Sequence, residues 1–236
     1  MTVLHLIRHG QASFGEDNYD RLSARGARQM RILGAHMVAT GCRVQAAYSG
    51  PLERQKSSAT ETIQRCHELG ANVPSATILP DLSEYDYEAV LASQVPAMIA
   101  ADPSLENDLK NIFHDATAFQ NIFEAAILRW VSGDFDQPGV ETWKAFSLRV
   151  RKALTDICAR HTGNDAVLIF TSGGFITAAL QAFLKLPGVQ ALDLAWQLAN
   201  ASVTRMVCRK KLLLLAQFNA TAHLELCREK DLITFR

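Results

Sequence analysis

The feature that most constrains the fold of this chain is a short, wholly apolar run that ends in small polar residues and two glycines. Residues 166–170 read Ala-Val-Leu-Ile-Phe, and Thr171-Ser172-Gly173-Gly174 follow directly. A continuous apolar run of this length is typical of a strand that is buried on both faces of a sheet. An apolar helical pattern begins at the second glycine and covers residues 174–185. A buried strand that passes through a tight turn into a helix predicts an α/β fold.

The rest of the chain repeats this alternation of strand and helix. Short apolar runs predict strands at residues 3–7, 44–49 and 76–79, and residues 202–218 are predicted to form a closing hairpin. Apolar residues at helical spacing predict helices at residues 23–40, 51–70 and 146–157. This order implies a largely parallel sheet covered by helices on both faces, and ligands of such sheets bind beyond the carboxyl ends of the strands.

Residues 85–132 differ from the rest because they carry no convincing strand pattern. A helical face is formed there by Phe119, Ile122, Phe123, Ala126, Ile127 and Trp130. We interpret residues 85–132 as a mostly helical cap inserted into one domain that spans residues 1–236, rather than as a second domain.

The charge balance and the hydropathy exclude several classes of partner. Lysine plus arginine and aspartate plus glutamate each number 24, so no basic excess favours nucleic acid or a membrane surface. No run reaches the ~18 apolar residues of a membrane span. The first residues, MTVLHLIRHG, lack the basic leader of a signal peptide. We therefore expect a cytoplasmic protein without nucleic-acid or membrane partners.

The cysteines give no sign of a metal site or of a disulfide framework. There are five of them, they are scattered, and none stands in a Cys-x-x-Cys spacing. Buried, reduced thiols are the expected state.

Charged residues follow the predicted strands where a ligand would bind. Arg8 and His9 come directly after the first strand, and Arg54 stands in the first turn of a helix, whose N-terminus favours an anion over a cation. An anion between the arginine and the helix would resolve that conflict. Two arginines with free backbone N–H groups can surround a phosphate, and a histidine beside it can attack phosphorus. Glu84 is the nearest candidate for a proton donor to the leaving group.

Several segments resemble the histidine phosphatase superfamily, also called the phosphoglycerate mutase-like family. The segment LIRHGQ at residues 6–11 resembles the Arg-His-Gly signature, and YSGPLERQKSSATET at 48–62 is similar to the Ser-Pro-Leu-x-Arg helix with an extra Gly50. The segment LSE at 82–84 resembles the Leu-x-Glu acid motif, and NASVTRM and FNATAHLE resemble the closing strands. The resemblance covers nearly the whole chain.

The resemblance implies a three-layer α/β/α sandwich and a role for each residue of the site. His9 would be the phosphorylated nucleophile, Arg8 and Arg54 would bind the phosphoryl group, and Glu84 would donate the proton. It implies neither a metal nor another cofactor.

The chain departs from the family pattern after the apolar strand. The family has Ser-His-Gly-Gly there, so Ser172 stands in place of a second histidine, with Gly173 beside it in the phosphate-binding turn. A serine hydroxyl can still donate a hydrogen bond, but it is shorter and neutral. The loss of a charged, preorganised donor costs about 3–4 kcal/mol at a transition state, so a reduced activity is expected.

Three functions are compatible with these residues. The first is a phosphomonoester hydrolase acting on a phosphorylated small molecule or a phosphoprotein. The second is a phosphoglycerate-type mutase, which needs a second anion site, yet residues 85–132 contain only Lys110 and Arg129 as lysine or arginine. The third is a catalytically weak phosphate-binding or interaction protein, which only Ser172 favours. The particular phosphoester and the oligomeric state are not readable from the sequence.

Overall fold

A six-stranded sheet forms the centre of the protein. The computed structural model describes residues 1–13, 20–106, 116–161, 163–209 and 212–235. The strands are β1 (Val3–Arg8), β2 (Val44–Ser49), β3 (Ala76–Ile78), β4 (Ala166–Thr171), β5 (Val203–Arg209) and β6 (Leu212–Ala220). Their order is β3-β2-β4-β1-β5-β6, and β3, β2, β4 and β1 run parallel, whereas β5 is antiparallel to both of its neighbours. The predicted, mostly parallel α/β sheet is therefore confirmed.

Helices connect the strands and cover the sheet. Within the described residues they are α1 (Ala24–Ala39), α2 (Glu53–Glu68), α3 (Tyr87–Ala101), α4 (Ala116–Ser132), α5 (Trp143–Arg160), α6 (Gly173–Leu184), α7 (Gly188–Ala195) and α8 (Ala222–Glu225). A short 3₁₀ turn at Pro80–Leu82 follows β3. No helix in the described ranges combines the length and apolarity that crossing a membrane would require.

The side chains of β4 show how the layers are built. All six residues of β4 are buried. Val167 and Ile169 join a core with α5 and α6, whereas Leu168 and Phe170 join a second core with α1 and α2. Successive side chains of a strand point to opposite faces, so a strand between two helical layers is apolar throughout. This explains the continuous apolar run that predicted the fold.

The described part of residues 85–132 is helical, as α3 and α4, and contains no strand. Ile122, Ala126, Ile127 and Trp130 of the predicted apolar face are buried, and α4 packs against α3, α5 and α7. Residues 107–115, and the side chain of Phe119, lie outside the described part of the chain.

One expectation about the cysteines is wrong. Cys158 of α5 and Cys208 of β5 form a disulfide, with their Cα atoms 6.2 Å apart. The two residues are separated by 50 positions, and only the packing of α5 on the sheet brings them together. No rule of cysteine spacing could have indicated the pair. Cys42, Cys66 and Cys227 are free thiols.

Candidate active site

Backbone hydrogen bonds where three neighbouring strands of the sheet meet fix the position of His9. The His9 backbone N–H donates to Thr171 O at 3.0 Å, so the residue after β1 is tied to the end of β4. On the other side, Ala201 N donates to His9 O at 3.2 Å. His9 is only 4% exposed. The nucleophile candidate therefore stands on a fixed backbone between two neighbouring segments of the sheet.

The imidazole of His9 is held in one tautomer. Its Nδ1 lies 2.8 Å from Gly10 O. Because a carbonyl oxygen can only accept, Nδ1 must carry the proton, which leaves the lone pair on Nε2. Burial, first, and then the charges of Arg54 and Arg8 hold the pKa of His9 well below its usual range, although the Gly10 contact opposes them. His9 is therefore neutral at physiological pH and can act as a nucleophile.

Gly10 allows the signature loop to pack against two helices. A Cβ on Gly10 would collide with Gly26 O of α1. Gly10 N donates to Ser58 Oγ at 3.0 Å, and Ser58 Oγ in turn donates to Arg54 O at 2.7 Å. The loop that carries His9 and the helix that carries Arg54 are thus joined through one hydroxyl.

Arg8 is held by carbonyl oxygens from distant parts of the chain. Its Nη1 donates to Leu198 O, and its Nη2 donates to Phe235 O at 3.2 Å. Its Nε lies 3.6 Å from where a Cβ of Gly173 would stand. The guanidinium is therefore fixed beside the start of α6, at the same edge of the sheet as His9.

Arg54 pairs with an acidic residue that the sequence analysis did not identify. Arg54 is 7% exposed, and its Nη1 donates to Asp20 Oδ1 at 2.7 Å. The other oxygen of Asp20 accepts from Glu53 N at 2.8 Å. The anion expected between Arg54 and the helix N-terminus is therefore, in part, a carboxylate of the protein itself. Asp20 lies 34 positions before Arg54, and no local spacing indicates the contact.

Glu84 is bound to the first turn of α6. Its Oε2 accepts from Gly174 N at 2.7 Å, and its Oε1 accepts from Tyr85 N at 3.1 Å. A Cβ on Gly174 would stand 2.5 Å from Glu84 Oε1 and from Tyr85 Cε1, so a larger residue here would displace the acid or the ring beside it. Burial raises the pKa of Glu84, while these hydrogen bonds and the charges of Arg54 and Arg8 oppose the rise. A raised pKa suits a carboxyl group that must hold a proton and then release it.

Ser172 is buried at the N-cap position of α6, but its side chain does not cap that helix. The residue is 1% exposed, and its hydroxyl instead accepts a hydrogen bond from Gln55 Nε2 at 2.8 Å. Gln55 belongs to the first turn of α2 and is wholly buried. No local sequence pattern indicates Gln55, because its partner lies 117 positions further along the chain.

The predicted site residues therefore lie at one edge of the sheet. Arg8 and Arg54 both act electrostatically on His9 and on Glu84. Gly173 lies beside the Arg8 side chain, and Ser172, which precedes it, accepts a hydrogen bond from Gln55, the residue after Arg54. Two guanidinium groups, a neutral imidazole and a carboxyl group of raised pKa form an arrangement that can bind and transfer a phosphoryl group.

A separate cleft of about 520 Å³ lies away from these residues. His5, His36, His223 and Arg205 are among the residues that line it, and none of the predicted site residues does. Burial is the main cause that lowers the pKa of His5 and of His223 to about 4. Within the described ranges, no group of three or more His, Cys, Asp or Glu side chains is arranged to hold a metal ion.

The sequence matches the family model of the histidine phosphatase superfamily (branch 1) over residues 4–124 and 114–221. The chain belongs to this superfamily, which confirms the resemblance found in the sequence. No curated protein matches the sequence at a significant level.

Solved structures share the fold over almost their whole length. A phosphoserine phosphatase from Entamoeba histolytica is 19% identical, with a TM-score of 0.64 over 95% of this chain and 100% of the other. The YhfR protein of Bacillus stearothermophilus is 18% identical, with a TM-score of 0.64 over 94% and 99%. A mycobacterial glucosyl-3-phosphoglycerate phosphatase is 20% identical, with a TM-score of 0.63 over 93% and 99%. At these identities the likeness is one of fold.

Proposed function

We propose that the protein is a phosphomonoester hydrolase in which His9 carries the phosphoryl group as a phosphohistidine. The observation that carries this proposal is the tautomer and charge of the His9 ring and its position beside two arginines. The Nδ1 proton is committed to Gly10 O, the ring is neutral, and the Nε2 lone pair remains beside two arginines. A buried neutral imidazole among cations is suited to attack an anionic phosphoester.

The reaction proceeds in two steps. First, His9 Nε2 attacks phosphorus as the bond from phosphorus to the ester oxygen breaks, and protonated Glu84 gives its proton to the departing alcohol. Then the Glu84 carboxylate takes a proton from water as the water oxygen attacks phosphorus and the phosphorus–nitrogen bond breaks. Inorganic phosphate leaves, and both His9 and Glu84 return to their starting states.

Arg8 and Arg54 stabilise the charge on the oxygens of the phosphoryl group. Guanidinium groups donate two parallel hydrogen bonds to such oxygens, and charged donors fixed in advance are the main source of phosphoryl-transfer catalysis. Arg8 is oriented by two carbonyl oxygens and Arg54 by the carboxylate of Asp20. The fixed positions of both groups support this role.

A phosphoglycerate-type mutase is the second candidate, and the described cap residues argue against it. A mutase must hold a second anionic group of its substrate. The guanidinium of Arg129 instead stacks on the Phe135 ring, 3.6 Å from its centroid, and its Nε donates to Gln94 Oε1 at 3.4 Å. Lys110 lies outside the described residues. A phosphate-binding protein without turnover is the third candidate, and the neutral Ser172 is the feature that favours it.

We further propose that α3 and α4 form a cap of the same domain, residues 1–236, and that this cap selects the substrate. Tyr85, which follows the proton donor Glu84, has its ring centroid 4.6 Å from that of Trp130 in α4. This contact between α4 and the residue next to the acid supports the proposal. The similar structures include phosphatases named for phosphoserine and for glucosyl-3-phosphoglycerate. We accordingly propose a phosphorylated small molecule, or a phosphoprotein, as the substrate.

The release of inorganic phosphate from a panel of phosphomonoesters tests the function. The wild-type protein should hydrolyse at least one of them, and His9→Ala, purified in parallel, should not. Wild-type protein that binds vanadate but hydrolyses nothing would establish the binding protein instead. Transfer of the phosphoryl group to a second hydroxyl, rather than to water, would establish the mutase.

A further inference from the structure

The side chain of Gln55 makes three hydrogen bonds, and together they fix its amide in one orientation. Its Nε2 lies 2.8 Å from Ser172 Oγ and 3.4 Å from Leu82 O, and its Oε1 lies 3.3 Å from Leu52 N. Leu82 O can only accept and Leu52 N can only donate, so the NH₂ group must face Leu82 and Ser172. The contact with Leu52 is also the one that a glutamine makes at the third position of a helix when it reaches back to the cap.

This orientation determines how the Ser172 hydroxyl is used. Its oxygen accepts a hydrogen from Gln55, so its own hydrogen must be donated elsewhere. In the part of the chain that the structure describes, Ser172 donates to no protein group. The hydroxyl is nonetheless buried at the start of α6, where Gly173 meets the Arg8 side chain. Because Ser172 directly precedes Gly173, its hydroxyl can donate to an anion that Arg8 holds there.

Gly50 keeps the space in which the Gln55 amide lies. A Cβ on Gly50 would collide with Gln55 Oε1 and would stand 2.7 Å from Leu82 O. Any other residue at position 50 would have to displace either the amide or the backbone. The glycine between Ser49 and Pro51, the glutamine and the serine therefore form one packed unit at the ends of β2 and β4.

We propose that Gln55 is a positioning residue, which holds the Ser172 hydroxyl so that its hydrogen is donated to the phosphoryl group beside His9. This inference rests on the proposed function for the identity of the ligand. A hydroxyl that accepts one hydrogen bond is polarised as a donor, so the pair acts as one unit. Neither side chain titrates, so the donor is present at every pH at which the protein is folded. The pH dependence of the reaction is left to His9 and Glu84.

A double-mutant cycle tests the inference. Gln55→Leu keeps the approximate volume and removes the donor, Ser172→Ala removes the hydroxyl, and the third protein carries both changes. The measurements are kcat and KM for p-nitrophenyl phosphate and the dissociation constant of vanadate. Each single change should lower kcat about tenfold, the effect of losing one neutral hydrogen bond, with a smaller change in KM. The double variant should be no slower than Ser172→Ala, because Gln55 acts only through the serine.

Gln55→Glu separates positioning from packing. It preserves the shape of the side chain, but an ionised carboxylate accepts hydrogen bonds and donates none. The Ser172 hydroxyl would then turn its hydrogen toward the new carboxylate and away from the ligand. This variant should lose at least as much activity as Ser172→Ala. Gln181→Leu, further along α6, is the matched control. It removes an amide whose oxygen accepts hydrogen bonds from Trp143 and Ser147 of α5, and its kcat should equal that of wild type.

The outcomes are distinct. If the effects of Gln55→Leu and Ser172→Ala multiply, or if Gln55→Leu changes nothing, the inference is overturned. A wild type that binds vanadate without hydrolysing any ester would contradict only the proposed function. The double-mutant cycle would then be evaluated from the dissociation constants of vanadate. A wild type that binds no vanadate overturns both. If Gln55→Leu melts at a temperature too low to assay, the more flexible Gln55→Met replaces it in the cycle.

Discussion

Replacing Ser172 with histidine should raise turnover only when Gln55 is shortened in the same protein. The Gln55 amide nitrogen lies 2.8 Å from the Ser172 oxygen, and both residues are buried. An imidazole needs more volume than a hydroxyl, and the amide already occupies the space on that side. Forcing extra atoms into a packed interior costs about 1–3 kcal/mol. Ser172→His alone should therefore lower the melting temperature and give little gain in kcat.

The double change Gln55→Ala/Ser172→His removes the obstruction. A charged, preorganised donor at a transition state is worth about 3–4 kcal/mol, or about 10²–10³ in rate. The amide that is removed also bonded Leu52 and Leu82, and each lost hydrogen bond costs about 1 kcal/mol of stability. The double variant should thus be less stable than wild type but faster. The gain should fade as the pH rises through the pKa of the new imidazole.

The assay is kcat for p-nitrophenyl phosphate, measured with the melting temperature for wild type, both single variants and the double variant. Gln55→Ala serves as the control for the loss of the amide alone. A Ser172→His protein that is as fast as the double variant and as stable as wild type would refute the packing argument. A double variant that folds and yet gains nothing would show that the site does not lack a charged donor.

Four further predictions concern the acid, the pH dependence and the surroundings of Arg54. Glu84→Gln should lower kcat/KM, which reports only the steps up to loss of the alcohol, far more for alkyl phosphates than for p-nitrophenyl phosphate, whose leaving group needs no proton. Equal lowering of kcat/KM for both would argue against Glu84 as the acid. Activity requires neutral His9 and protonated Glu84. It should therefore decrease at pH values below the lowered pKa of His9 and at pH values above the raised pKa of Glu84. The decrease at high pH should be absent in Glu84→Gln. Asp20→Asn keeps an acceptor for the N-terminus of α2 but removes the charge beside Arg54. Vanadate affinity should therefore change, while the melting temperature measured by calorimetry should fall by only a few degrees. Arg54→Ala should weaken vanadate binding by about 1.5–3 kcal/mol, the range for a charged hydrogen bond, whereas the exposed Arg28→Ala should leave the titration unchanged.

Much of the fold could be predicted because burial leaves a direct mark on the sequence. The strand at residues 44–49 and the helix that Ser23 caps occur where the pattern predicted them. The β4 run is apolar throughout because helices cover both of its faces. The disulfide between Cys158 and Cys208 was not predictable, since it depends on how α5 lies against β5 and not on spacing along the chain.

Only those residues of the candidate site that lie at the end of a strand could be predicted from the sequence. Arg8 ends β1, and His9 and Ser172 directly follow β1 and β4, so the rule for parallel sheets was enough to predict that they lie together. Asp20 and Gln55 have no such position, and their contacts span 34 and 117 residues. The extra Gly50 was visible in the sequence, but its reason, the Gln55 amide packed against it, became visible only in three dimensions.

The most direct test of the account is the chemical state of His9 during turnover. Wild-type protein mixed with a labelled phosphomonoester should be quenched within milliseconds in alkaline denaturant, because phosphohistidine hydrolyses in acid. Mass spectrometry of the peptides should then locate the phosphoryl group on His9, at no more than one group per chain, and His9→Ala should carry no label. A phosphoryl group on Ser172, or one that persists in His9→Ala, would contradict the account.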